Sequence, residues 1–555
     1  QGIVRASSFT QTILTVLVLG AGTDYGLFLT LRMREELERG LSPRDAVRRA
    51  VERVGESITF SAGTVIVALL SLTFATFAVY AGLGPSLAIG VALMLLAALT
   101  LLPALLATLG RAVFWPLKLT LPTAATGRRE ARSGAPRGSW GTIAVQVVRR
   151  PALTLLLGMV LFGALSLAVL AYAPAGFGGT TTGPTGSDSA NGTAAIAAHF
   201  PAAVAQPTTI VLRFPYSVWT HLSGVQQAEG QLAAAHEFAS VSGPLNPNGT
   251  AIDPRLIEMA YARFGPPQAL PATPPAAIAA NIPASTYQAY RALGQFISAD
   301  GRTVQFYTTL EAGVPTSSQA LHAIPDIRAA TQRIAQNAGA TESGVVGQAA
   351  ASYDVSNASD ADLAHIVPVV LALIALLLAV VMRSLVTPLY LVASVALSFF
   401  ASLGLAVLIF MRAGGQAGLN FVLPFLMFIF LMALGEDYNI LVMSRIREEA
   451  QHRRLSDAIA HALGATGTTV TSAGLILAAT FAVAGFAYSS DQIRQLTISI
   501  ALGVLLDTFL VRTLLVPSVV ALLGRWNWWP SSLSRRQRQQ GQPAPASASE
   551  DVVAV

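Results

Sequence analysis

Nine apolar runs set the terms for this chain, at approximately 9–31, 57–80, 84–109, 152–173, 363–382, 386–411, 421–443, 465–487 and 495–523. Each is about 20 residues long, the length an α-helix needs to cross a bilayer's hydrocarbon core. Within lipid a backbone must satisfy its own hydrogen bonds, which a helix does segment by segment. The expected fold class is therefore a polytopic α-helical membrane protein. Composition agrees, since 53% of the 555 residues are hydrophobic, 12% are charged, and the mean hydropathy is +0.57.

Against this apolar background Asp24 stands out in "GTDYGLFLTLRMREE", Gly22 to Glu36. A charged carboxylate near the bilayer centre costs roughly 2.5–3.5 kcal/mol even on lenient scales, so it is kept for a partner or a task. The stretch returns as "GEDYNILVMSRIREE", Gly435 to Glu449, which aligns Asp24 with Asp437 and Tyr25 with Tyr438 at an offset of 437 − 24 = 413. Further on, "GRAVFWP" from Gly110 recurs as "GRWNWWP" from Gly524, and "SAG" at Ser61 to Gly63 recurs at Ser472 to Gly474. The landmarks keep their order, as in a duplicated membrane unit of the transporter kind.

Arginine distribution gives an expected topology. Arg32, Arg34, Arg39, Arg44, Arg48, Arg49 and Arg53 crowd the segment from Arg32 to Glu56, which is expected to be a short amphipathic cytoplasmic helix with "LSPRDAV" as turn and cap. The linker 111–150 and the tail 524–555 are placed on the same side, and the final stretch, rich in Pro, Ala and Ser, is expected to be disordered. The segment 174–362 must then lie outside; it holds seven arginines, no lysine and twelve acids. Its pattern predicts strands at 208–214, 302–310 and 343–347, helices near 224–239 and 317–337, and a helical insertion around 253–298. Two β-α-β passes of this sort suggest an external α+β domain with a ferredoxin-like split βαβ.

Asp24 and Asp437 each lie eight residues before an arginine, Arg32 and Arg445, so both sit about 12 Å from the same interface. A carboxyl in a low-dielectric site holds a proton when dry and releases it when hydrated or paired. A neighbouring tyrosine hydroxyl can donate to it or relay a proton. Asp24, Tyr25, Asp437 and Tyr438 are therefore the candidate proton relay, with helix-packing hydrogen bonds as the plainer alternative. Glu436, Asp507, Arg512, Thr64 and Thr468 are candidate supports. Asp507 and Arg512 are five residues apart, a poor spacing for an intrahelical pair, so each is expected to reach a different neighbour. The threonines serve equally well as polar helix packing. No metal or nucleotide motif appears, and the absence of cysteine removes disulfides and thiolate chemistry. The net charge of +6 is explained by arginines beside membrane segments and not by a nucleic-acid surface.

With these motifs, together with "LLDTFLVRTLLVP" and "VPVVLALIALLLAVVMRSLVTPLYL", the chain resembles the MMPL transporters of the RND superfamily. The resemblance implies two halves, each with one helix, an external porter domain and five further helices, driven by the proton gradient and exporting lipids or other hydrophobic small molecules across the cytoplasmic membrane. By that pattern residues 1–110 hold the fourth to sixth helices of the first half, 151–173 the seventh, 174–362 the porter domain, and 363–523 the eighth to twelfth. The first three helices and the first porter domain are then missing, and the opening Gln1 fits a chain that begins partway through a longer protein. The expected partners are membrane lipids, a hydrophobic or lipidic substrate and the absent amino-terminal half, with a homo-oligomer left open. No cofactor beyond the proton gradient and no nucleic acid is expected. The alternatives are a related proton-coupled auxiliary of protein export, a sterol- or lipid-sensing membrane protein, and, because two aspartates lie on separate helices, an intramembrane aspartyl protease.

Overall fold

A computed structural model of the protein describes residues 8–115, 138–176, 186–199, 207–247, 251–275, 278, 282–488 and 490–535, Asp437 by its backbone alone. Most of the linker expected at 111–150 and the end of the tail lie outside the described residues. The chain divides into two units: Gln1–Tyr172 with Ser359–Gly415 and Val422–Val555, and Ala173–Ala358 with Gln416–Phe421.

Among the described residues, nine helices are long and apolar enough to cross a membrane. They contain α1 (Ser8–Glu38), α2 (Pro43–Ser71), α3 (Ala78–Leu99), α4 (Pro151–Leu167), α5 (Gln348–Met382), α6 (Val386–Ala406), α7 (Leu423–Glu449), α8 (Leu455–Ala487) and α9 (Asp491–Leu506). In the first unit α7 is the central helix, buried along nearly its whole apolar length, whereas α4 leaves Leu156, Leu157, Val160 and Leu161 exposed. An apolar face of that extent suits lipid and not water.

The amphipathic helix expected over Arg32–Glu56 does not exist as a separate element. Instead α1 runs on to Glu38, and Ser42 caps α2 by accepting the Asp45 N–H at 3.3 Å, with Pro43 in the first turn. Ion pairs along the helix explain the continuation, Arg32 with Glu35 at 2.5 Å and Arg34 with Glu38 at 3.0 Å. Arginine-rich sequence next to an apolar run could not mark a helix end.

The duplication is visible in the backbone. Gly110 and Gly524 both leave their helices with positive φ, 55° and 56°, and both open a short 3-10 turn, Gly110–Phe114 and Gly524–Trp528. Elsewhere the copies depart. A side chain at Gly474 would strike Thr508, so this glycine lets α8 approach the last span, while a side chain at Gly63 would meet nothing. α3 begins where Asp362 of α5 accepts the Thr76 and Phe77 N–H groups at 2.7 and 3.0 Å.

The second unit holds a four-stranded antiparallel sheet. Its strands are β1 (Thr208–Arg213), β2 (Phe238–Ser242), β3 (Thr303–Leu310) and β4 (Glu342–Val346), in the spatial order β2-β3-β1-β4. Register pairs Ile210 with Phe306 and Leu212 with Val304. Buried and half-buried residues alternate strictly along β3, so one face packs on helices Ser223–Ala234 and Ser318–Asn337 through Val225, Leu232, Ile324 and Ile327. β2 is a strand the sequence reading missed: the helix expected to reach 239 stops at Ala234. Its residues, "FASVS", are short, polar and irregularly paired at a sheet edge, so they carry no alternation to detect.

Candidate functional site

The polar residues of the membrane unit gather where α1, α2, α7 and the last span meet. Asp24, on α1, is buried, and its Oδ2 accepts the hydroxyl hydrogen of Tyr438 on α7. The bond therefore joins the aspartate of one copy to the tyrosine of the other. Sequence reasoning expected each aspartate to use the tyrosine beside it, but adjacent helical positions point about 100° apart. Tyr25, also buried, accepts the Ser61 hydroxyl of α2 at 3.3 Å, and Thr64 donates back to the Ser61 carbonyl at 2.6 Å. Sequence reasoning did not name Ser61 as a site residue, although its place in the repeated "SAG" tripeptide was the available signal.

Asp507 and Arg512 pair with each other, contrary to the expectation that each would reach a different neighbour. The reason lies in the backbone. Residues Asp507–Leu515 form a π-helical segment, whose i→i+5 bonding brings the sixth residue round to the first, whereas an α-helix would set them about 140° apart. Both are almost wholly buried, at 4% and 2% exposure, so the pair sits inside the bundle and not in lipid. Arg512 also donates to the Gly435 carbonyl at 3.0 Å and lies 4.0 Å from the centre of the Tyr438 ring. Tyr438 thus has the Asp24 carboxylate on its hydroxyl and a guanidinium on its face. Phe28 meets the same ring edge-on, centroids 5.7 Å apart.

Glu436 is fully buried on α7 beside this cluster. Asp437 lies on α7, and its side chain falls outside the described residues. Thr468 is exposed on α8, where its carbonyl accepts from Thr471 at 3.2 Å, so it does not join the cluster. Its neighbour Thr469 lines a cavity of about 410 Å³ together with Phe28, Arg32, Arg53, Ser444 and Arg445. Phe28, one wall of this cavity, is also the ring that meets Tyr438. A second, enclosed cavity of about 10 Å³, lined by Ser398, Gly435, Asp507 and Arg512, has room for about one water molecule. Among the described residues no group of three or more His, Cys, Asp or Glu is placed to hold a metal ion.

Chemically, the arrangement is a buried carboxylate held by a phenol, the phenol held by a guanidinium, and the guanidinium held by a second carboxylate. Protonating either carboxylate removes charge from a connected web that spans both copies.

A family model described as "MMPL family" matches residues 1–154 and 181–544. The chain is 35% identical over 535 residues to the putative membrane protein ActII-3 of Streptomyces coelicolor, covering 96% of this chain and 65% of that protein. It is 31% identical over 550 residues to the apo-petrobactin exporter of Bacillus anthracis, covering 97% and 66%. Over 240 residues it is 38% identical to the sulfolipid-1 exporter MmpL8 of Mycobacterium tuberculosis, covering 43% and 22%. The chain thus spans about two thirds or less of the length of these relatives. Two of the three are named as exporters, and none as an enzyme.

Proposed function

The chain belongs to the MMPL family, and on that premise we propose that it carries the proton-coupling machinery of an exporter of lipids or other hydrophobic small molecules in the cytoplasmic membrane. The observation that carries this reading is the buried bond from Tyr438 to Asp24 across the two copies. An ionised Asp24 accepts the phenol strongly, and a protonated Asp24 accepts it weakly, so proton uptake loosens one copy from the other. Arg512 and Asp507 are the counterweight, since the guanidinium stacked on Tyr438 stays ion-paired while the phenol changes partner. The arginine-side cavity supports entry of the proton from that side, since its Phe28 wall is in contact with the Tyr438 ring. A proton moving down 100 mV releases about 2.3 kcal/mol, which is the energy available per cycle for export.

The strand order β2-β3-β1-β4 supports reading the second unit as a ferredoxin-like porter domain, and the arginine distribution supports its lying on the external side. The relative named as a sulfolipid-1 exporter supports a lipidic cargo, and the one named as an apo-petrobactin exporter supports export of a small molecule. The proton gradient is the sole energy source in this reading, with no bound cofactor. The test is export by the full-length protein carrying Asp24→Asn or Asp437→Asn, isosteres that keep hydrogen bonding but cannot cycle a proton. Export should be lost at normal expression and membrane insertion; wild-type export by both variants would sink the relay.

A further inference from the structure

The duplication exposes a difference between the copies that proton coupling does not use. Arg34 and Arg447 are equivalent, 447 − 34 = 413 residues apart. In the first copy Arg34 is neutralised by Glu38, four residues on, at 3.0 Å. In the second copy that position is Gln451, so the carboxylate is gone. Arg447 instead donates to the Val381 carbonyl at 3.1 Å, at the end of α5. Arg383 lies two residues beyond Val381, and among the described residues neither arginine has a carboxylate within ion-pair distance.

Both arginines line one open cavity of about 710 Å³, together with Ser384, Gln451, Ser531 and Ser532. Arg383 has φ 49°, the single positive φ outside glycine among the described residues. The turn is braced on its far side, where the Ser384 hydroxyl donates to the Asn527 carbonyl at 2.8 Å and the Leu385 N–H to the Trp529 carbonyl at 3.0 Å. A strained backbone held this firmly keeps a cation on the cavity wall that an ordinary helix end would release. Two guanidiniums sharing a cavity repel each other until an anion enters between them. Their planar forks, with serine hydroxyls beside them, suit the oxygens of a phosphate group.

The rim indicates where the phosphate comes from. Leu385, which lines the cavity, is exposed, as are Leu389 one helical turn on and Trp526 and Trp529 just before the lining residue Pro530, a mix of apolar and indole side chains that suits the membrane interface. We propose that this cavity binds the phosphate headgroup of an anionic phospholipid from the arginine-side leaflet, its acyl chains running along Leu385 and Leu389. The arginine-bearing ends of the spans mark the side on which anionic lipids attract basic residues.

The experiment uses the full chain in nanodiscs of phosphatidylcholine with a minor fraction of phosphatidylglycerol, with retained lipid counted by native mass spectrometry. Phosphatidylglycerol should be retained in preference to phosphatidylcholine. Arg383→Gly, which removes the charge while easing the left-handed turn, should lower that retention about tenfold or more. Gln451→Glu, which restores the first copy's carboxylate and leaves both arginines in place, should do the same. Equal retention of the two lipids, or retention unchanged in both variants, overturns the site. Displacement of the lipid by millimolar inorganic phosphate would mark a soluble-anion site and overturn the lipid assignment.

Discussion

Tyr438 touches three of the groups that matter, the Asp24 carboxylate, the Arg512 guanidinium and the Phe28 ring. Tyr438→Phe keeps the stacking and deletes only the hydroxyl. A water molecule can stand in for a lost relay hydroxyl, so export should slow, on the order of tenfold, without stopping. Export abolished as fully as by Asp24→Asn would make the phenol an obligatory step. A second carboxyl tests the other unit. Glu229 is buried there, which pushes its pKa up from 4.5 to about 7, although its Oε2 accepts the Leu245 N–H at 3.1 Å. Below about 4.5 the group is neutral in both folded and unfolded chains. Between 4.5 and about 7 the unfolded chain gives up a proton that the folded unit retains, so stability falls across that window and stays lower above it. Glu229→Gln should therefore stabilise this unit at pH 8 by on the order of 1–3 kcal/mol and have little effect near pH 4. Unfolding followed through the buried Trp219 checks this, and an equal shift at both pH values contradicts it.

Among the elements, the π-helical segment Asp507–Leu515 is what makes an ion pair out of two residues five apart. Arg512→Gln should leave the register of the segment alone and remove the guanidinium that Asp507, Gly435 and Tyr438 share. The expected result is an inserted protein with export reduced at least a hundredfold, while Phe509→Leu, which changes another side chain of the same segment, exports normally. Normal export by Arg512→Gln would show that the pair is dispensable. This is also where sequence reading reached its limit. Apolar length was enough to find nine spans, and the repeat was enough to single out Asp24, Tyr25, Asp437 and Tyr438, because both are local patterns. Nothing local announces a π register, and the spacing rule for α-helices separated Asp507 from Arg512. The crossing of Tyr438 to Asp24 was equally hidden, since a repeat shows which residues correspond but not which of them meet. β2 was missed for a third reason, as an edge strand of "FASVS" buries too little to be patterned.

For the molecule as a whole, arginine placement predicts that 174–362 faces outward and the linker 111–150 inward. The natural absence of cysteine makes this easy to check, with Ser242→Cys in β2 and Ser133→Cys in the linker, the latter outside the described residues. An impermeant maleimide should label Ser242→Cys in intact spheroplasts and Ser133→Cys only after lysis; the reverse pattern would invert the topology. In the proposed function a proton gradient, acting through Asp24 and Tyr438, drives an apolar molecule out of the cell. The most direct measurement compares, by untargeted mass spectrometry, the lipid-soluble compounds outside cells that express the full-length protein with those outside cells expressing Asp24→Asn, each with and without an uncoupler. At least one compound should appear outside only with the wild-type protein and vanish both with the uncoupler and with the substitution. Its continued appearance in Asp24→Asn cells, or with the gradient collapsed, would contradict the claim.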